Sequence, residues 1–335
     1  MTSEPIENAD NAEVPASAES LPPVEPPSAK FIVQLFVVPG LIVAAIVGVW
    51  LLFGKLASAE QDWQALVADM KSSNEHRRGR GAMGLAQALA VDQNRKSDGP
   101  RLTTNPQVAQ ELSAFLADIL KSSSQKPIVI DQQAFLTRTL GMLDVPEPVL
   151  PVLCEAMKDS HDREVRKNAV AAVATIAFRA SKRGLPLTDA GTLEELSNVA
   201  RDADPLLRSL SAMSLGFFPL ELADQSLTVL LADADTNTRA NAAVAFTRHK
   251  SLKAVSVLKE VLQAAAALKQ VGSSGDAAPI AATNAMTAIG ELAPLLDEAT
   301  RIDFANDVAA ISRNYPDPRV RLDAAQTLAK IRSSR

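Results

Sequence analysis

The side chains able to do chemistry are few and scattered. His76, His161 and His249 lie far apart, with no His or Cys at a metal-ligand spacing. A zinc site needs four such ligands, or three and a water. Cys154 is the one cysteine and sits in the apolar stretch VLPVLCEAM. No partnered base accompanies it, so packing, not nucleophilic attack, is its expected role. The stretch GRGAMG, Gly79 to Gly84, lacks the Lys-Ser/Thr with which a phosphate-cradling loop reaches phosphate and magnesium. The densest charge is RRGR, with Arg77, Arg78 and Arg80. These arginines either meet anionic lipid headgroups, at about 1 kcal/mol per base, or form the charged start of a helix. No catalytic constellation emerges, and no enzyme activity, metal, cofactor or small-molecule substrate is expected.

The elements that position these residues follow from composition. Hydrophobic residues make up 47% of the chain but aromatic ones only 4%, because Ala, Leu and Val carry the apolar content. Ala and Leu have the best helix propensity, whereas sheets select β-branched and aromatic residues, so the expected class is all-α. The net charge of −5 is unevenly placed. Residues 1–29 hold Glu4, Glu7, Asp10, Glu13, Glu19 and Glu25 with no base, so everything after the N-terminal region is close to neutral. That excludes the broad basic field of a nucleic-acid-binding domain. The same tail is rich in proline and has no apolar period, so residues 1–30 are expected to be a disordered, acidic spacer.

Residues Phe31 to Phe53 read FIVQLFVVPGLIVAAIVGVWLLF, without a charge. As one helix this run reaches roughly 35 Å, enough for a bilayer core of about 30 Å. The expectation is a transmembrane helix over 31–54 and a single-pass protein. Ala57-Ser58-Ala59 resembles a cleavage site, but the acidic flank and the length of the run argue against a signal peptide. Lys55 and Lys71 against Lys30 place residues 55–335 in the cytoplasm. Gly40, Ala44 and Gly48 form a small-residue stripe that would let two such helices pair as a homodimer.

The region after this run repeats itself. DREVRKNAVAAVATIA, DPLLRSLSAMSLG, DTNTRANAAVAF and DPRVRLDAAQTLAKI, starting at Asp162, Asp204, Asp235 and Asp317, align without gaps. Each has an Arg four residues after the Asp, at Arg166, Arg208, Arg239 and Arg321, and an apolar residue seven further on. Small residues cluster three and four positions after the Arg. Offsets of 3, 4 and 7 share one helical face, so each copy is a helix packing a small-residue stripe against a neighbour. Asp, at times followed by Pro, supplies the N-terminal cap. An amphipathic stretch precedes each copy, and the unit is a helical hairpin. Weaker copies place Arg78, Gln133 and Ala282 at the Arg position, giving about seven units spaced near forty residues.

Hairpins whose second helix begins D-x-x-V-R resemble HEAT repeats, including the short bacterial HEAT-like form. The resemblance covers roughly residues 60–335. It implies a right-handed α-solenoid with an extended concave surface, and a protein partner. It also implies a structural role for Asp162, Arg166, Asp204, Arg208, Asp235, Arg239, Asp317 and Arg321 in tying one hairpin to the next. An anion-binding role for the arginines is the alternative. The function expected is a membrane-anchored scaffold for protein–protein interaction, with the bilayer as a second partner. Two other classes are an accessory subunit or enzyme of the HEAT-like lyase type, which rests on fold analogy, and a nucleic-acid-binding solenoid, which the near-neutral charge disfavours.

Overall fold

The computed structural model describes residues 30, 37–57, 62–95, 99–122, 126–269 and 278–334. Contacts divide the chain into two units, Met1–Gln61 and Asp62–Arg335. The acidic tail, residues 1–29, lies outside the described residues.

In the first unit the described helix is α1, Val38–Ala57. The expected membrane span is corrected here. Among the described residues no helix is long and apolar enough to cross a membrane. Of the expected span, residues 31–36 lie outside the described residues; the described helix runs Val38–Ala57 and includes Lys55, and its charge-free part covers about 25 Å at about 1.5 Å per residue. The single-pass location, the bilayer as a partner and the cytoplasmic placement derived from that span go with it. The stripe Gly40, Ala44 and Gly48 lies exposed on α1, and a Cβ added at Gly40 or Gly48 would meet nothing within 4 Å.

The second unit is an α-solenoid of paired helices, with no strand among its described residues. The pairs are α2 (Trp63–Met70) with α3 (Glu75–Asn94), α4 (Pro106–Leu120) with α5 (Pro127–Leu140), and α6 (Pro146–Met157) with α7 (Arg163–Lys182). There follow α8 (Ala190–Val199) with α9 (Pro205–Leu215), α10 (Leu220–Leu231) with α11 (Thr236–Arg248), α12 (Val255–Ala267) with α13 (Ala278–Leu292), and α14 (Glu298–Asn314) with α15 (Pro318–Ser333). Successive second helices pack on one another from α5 to α15, making one layer; first helices form the other. Such stacking buries the apolar stripe that no single hairpin could cover alone.

Helix starts follow local chemistry. Asp162, Asp189, Asp204, Asp235, Asp297 and Asp317 each accept a hydrogen bond from a backbone N–H of the first turn, as do Asn74 and Asn105. Each cap stabilises its helix by about 1 kcal/mol. Between the layers lie fully buried large side chains, among them Leu85, Leu112, Leu136, Phe218, Phe246 and Phe304. Within the second layer the residues are small, because the helices approach closely. A Cβ on Gly141 would lie 2.8 Å from the Cβ of Ala172, and one on Gly216 would lie 2.7 Å from the Cβ of Ala245. Asp92, buried, accepts from the N–H and hydroxyl of Thr103 at 2.9 and 2.8 Å, fastening the end of α3 to the segment that leads into α4.

Candidate functional site

The arginines of the repeat share one geometry. Arg208 Nη1 donates to the carbonyls of Asp202 (2.8 Å) and Ala203 (3.1 Å), six and five residues upstream. Arg239 does the same to Asp233 (2.7 Å) and Ala234 (3.0 Å), and Arg321 to Tyr315 (2.6 Å) and Pro316 (3.0 Å). Each guanidinium therefore satisfies carbonyls at the exposed turn between the two helices, groups that would otherwise lack a protein donor. Arg166 instead donates through Nε to Met157 O at 3.0 Å. Arg78 belongs with the others, donating to Ser72 O (3.0 Å) and Ser73 O (2.8 Å). Gln133 reaches Ile119 O at 2.8 Å and so serves the end of α4 in place of an Arg.

In Arg166, Arg208 and Arg239 the other side of the guanidinium faces the next hairpin. Arg208 forks onto Asp233 with Nε and Nη2 at 2.7 and 2.9 Å, Arg166 meets Asp202, and Arg239 meets Glu260. The cap Asp204 is held by Arg163. The acids receiving the repeat arginines are thus Asp202, Asp233 and Glu260, not the cap aspartates. Sequence reading missed them, although Asp202-Ala203-Asp204 and Asp233-Ala234-Asp235 repeat a D-A-D signal. In each, the first Asp also accepts from the backbone N–H of the second at 2.8 Å.

The Arg208 hydrogen bonds hold the Asp233 carboxyl below its ordinary pKa. The unfolded carboxyl titrates near about 3.9, so this contribution is complete above that pH and is lost as pH falls through the lower folded value. Urea midpoints are expected to decline on acidification below about pH 4, and the decline to flatten in Arg208→Met.

Arg77 pairs with Asp69 at 2.6 Å, and Arg80 is exposed. His161 lies 3.6 Å from Glu155, and desolvation lowers the pKa of half-buried His249. The Cys154 thiol lies 3.5 Å from the Thr192 hydroxyl, and burial raises its pKa. Since the thiolate is the reactive form, alkylation by iodoacetamide at pH 7.5 is expected to run at least tenfold slower in the folded than in the urea-unfolded protein. No group of three or more His, Cys, Asp or Glu is placed to hold a metal among the described residues.

Two open features remain. Between α4 and α6 lies a groove of about 520 Å³, lined by Ser113, Ala114, Ala117, Pro148, Pro151 and Val152 among others. Across the second layer, positions five residues after the repeat Arg fall in register: Met83, Arg138, Ala171, Met213, Val244, Thr287 and Gln326. All seven are exposed or half-buried, and from Arg138 to Gln326 they lie on second helices that pack on one another, forming one open strip.

No family profile matches the chain, and no curated protein matches it. Solved structures do. YibA of Escherichia coli is 15% identical with a TM-score of 0.45, over 83% of this chain and 84% of its own. A designed armadillo repeat protein in complex with the peptide (KR)4 is 16% identical, TM-score 0.42, over 75% of this chain and 100% of its own. Human deoxyhypusine hydroxylase is 19% identical, TM-score 0.31, over 83% of this chain and 98% of its own. At those values none of the three carries an activity or a ligand to this chain.

Proposed function

We propose that the protein is a non-catalytic scaffold whose second-helix layer receives a protein partner. The observation that supports this is the division of polar groups. The repeat arginines and aspartates are engaged with carbonyls, caps and neighbouring hairpins. The strip from Arg138 to Gln326 is left open across the six second helices that pack on one another. A surface assembled from equivalent positions of stacked helices suits an extended partner that meets one hairpin after another. The arginines and aspartates of the repeat hold the hairpins in register, and the solenoid is right-handed with the tightly stacked second helices on its concave side.

A photo-crosslinking amino acid placed at Met213 in the full chain tests this in cells. Leu222, an exposed residue of α10 in the first layer, is the control position. A discrete protein adduct from position 213 and none from 222 is the expected result. Equal labelling at both, or none along the strip, would overturn the reading.

A further inference from the structure

Toward the C-terminal ends of the second helices, beyond the strip, runs a row of stacked side chains. Lys182 Nζ lies 5.6 Å from the centre of the Phe178 ring, and Phe178 meets Phe217 edge-on at 5.3 Å. The Arg248 guanidinium covers Phe217 at 4.2 Å. The row joins α7, the turn that follows α9, and α11, from three consecutive hairpins, and contributes nothing to the carbonyl ladder at the opposite helix ends. Phe178 is 42% exposed, large for a phenylalanine.

The charges of this row set it apart. On the N-terminal side of the layer Arg166, Arg208 and Arg239 each form an ion pair. Neither Lys182 nor Arg248 forms one among the described residues; Arg248 feels Glu291 only from beyond ion-pair distance. Arg248 donates to Met213 O at a long 3.4 Å. Its guanidinium is crowded by protein on several sides, and that desolvation lowers its pKa. Helix C-termini favour basic residues, which accounts for the sign of these charges but not for their stacking on a half-open aromatic pair. Arg179 shows the alternative at an equivalent helix end. It donates to the carbonyls of Gly141 and Leu143 and has Asp144 within 3.8 Å.

Resting on the scaffold reading above, we propose that the Lys182–Phe178–Phe217–Arg248 row docks an acidic, aromatic-bearing segment of the partner protein. Its carboxylates pair with Lys182 and Arg248, and its ring packs on the open face of Phe178. Charge complementarity selects this occupant: two cations that form no ion pair among the described residues flank an apolar centre. Arginine and aromatic side chains at the middle of a contact carry most of its binding energy. The near-neutral charge of the solenoid favours a peptide over a nucleic acid, which would need a wider basic field.

The test uses the full-length protein and fluorescein-labelled probes. These are a twelve-residue peptide of alternating Glu and Phe, its Lys and Phe counterpart, and a single-stranded DNA oligonucleotide. The acidic peptide is expected to bind, to weaken with added salt, and to lose about tenfold in affinity in Phe178→Ala, Lys182→Glu and Arg248→Gln. Lys121→Glu, an exposed charge reversal in the first layer, should bind as the unaltered protein does. Circular dichroism checks folding, and the exposed Phe178 and Lys182 variants carry the test if Arg248→Gln fails to fold. Tighter binding of the basic peptide or the oligonucleotide, or unchanged affinity in the Phe178 and Lys182 variants, overturns the proposal. If the position-213 adduct persists in those variants, the acidic-segment assignment fails while the scaffold reading stands; if no adduct forms at all, the scaffold reading fails first.

Discussion

Gly141→Val is expected to destabilise the solenoid by about 3 kcal/mol, the upper part of the range for overpacking. The residue caps the C-terminus of α5 with φ −61°, so its backbone conformation suits any side chain. The obstacle is space. A Cβ there would sit 2.8 Å from the Cβ and 2.9 Å from the Cα of Ala172, and 3.2 Å from the carbonyl of Arg138. Backbone on both sides cannot rotate away as a long side chain could. For Gly141→Ala, helix propensity returns at most about 1 kcal/mol, less than the clash costs, so that variant should also lose stability. Ala172→Gly in the same chain should relieve part of the alanine variant's loss, giving a coupling of about 1 kcal/mol or more in a double-mutant cycle. Contacts in a solenoid run between neighbours, so hydrogen exchange should show α5 and α7 loosening before α13 and α15. Uniform loss of protection, or additive effects of the two substitutions, would show that this contact does not set the helix spacing.

Arg208→Ala should cost about 3 kcal/mol. Truncation leaves the Asp233 carboxylate, only 10% exposed, without its forked partner, and strips the Asp202 and Ala203 carbonyls of a donor. Breaking one side of a part-buried pair costs more than the pair contributes, because the remaining charge stays desolvated. Arg208→Lys should recover less than half of the loss, since an ammonium cannot fork onto a carboxylate and reach two carbonyls at once. Arg163, whose side chain is 55% exposed and which holds Asp204, provides the comparison: Arg163→Ala should lose less than about 1 kcal/mol. Equal urea midpoints for the two alanine variants would falsify the claim that the repeat arginine ties hairpins together.

The repeat was legible in the sequence because its signals are local. A capping Asp followed by an Arg, then small residues three and four positions on, lies within three turns of helix and needs no partner to be read. The degenerate copies were harder for the same reason. Gln133 reaches Ile119, fourteen residues upstream, a contact that no spacing rule announces. The apolar run from Phe31 misled because hydropathy counts residues, whereas a membrane span needs one helix both long and apolar enough; the described helix Val38–Ala57 carries Lys55 and does not meet that requirement.

By itself the sequence determined what depends on neighbours along the chain: the all-α class, the hairpin period, the aspartate caps and the small-residue stripe. Only the tertiary structure decided which groups meet across hairpins. Arg166 finds Asp202 thirty-six residues away and Arg208 finds Asp233 twenty-five away. Gly141 meets Ala172, and Phe178, Phe217 and Arg248 come from three successive hairpins. Those meetings depend on the offset and rotation of each hairpin on the last, which is set by how closely the second helices can approach, and that distance is a property of packed surfaces rather than of any one segment.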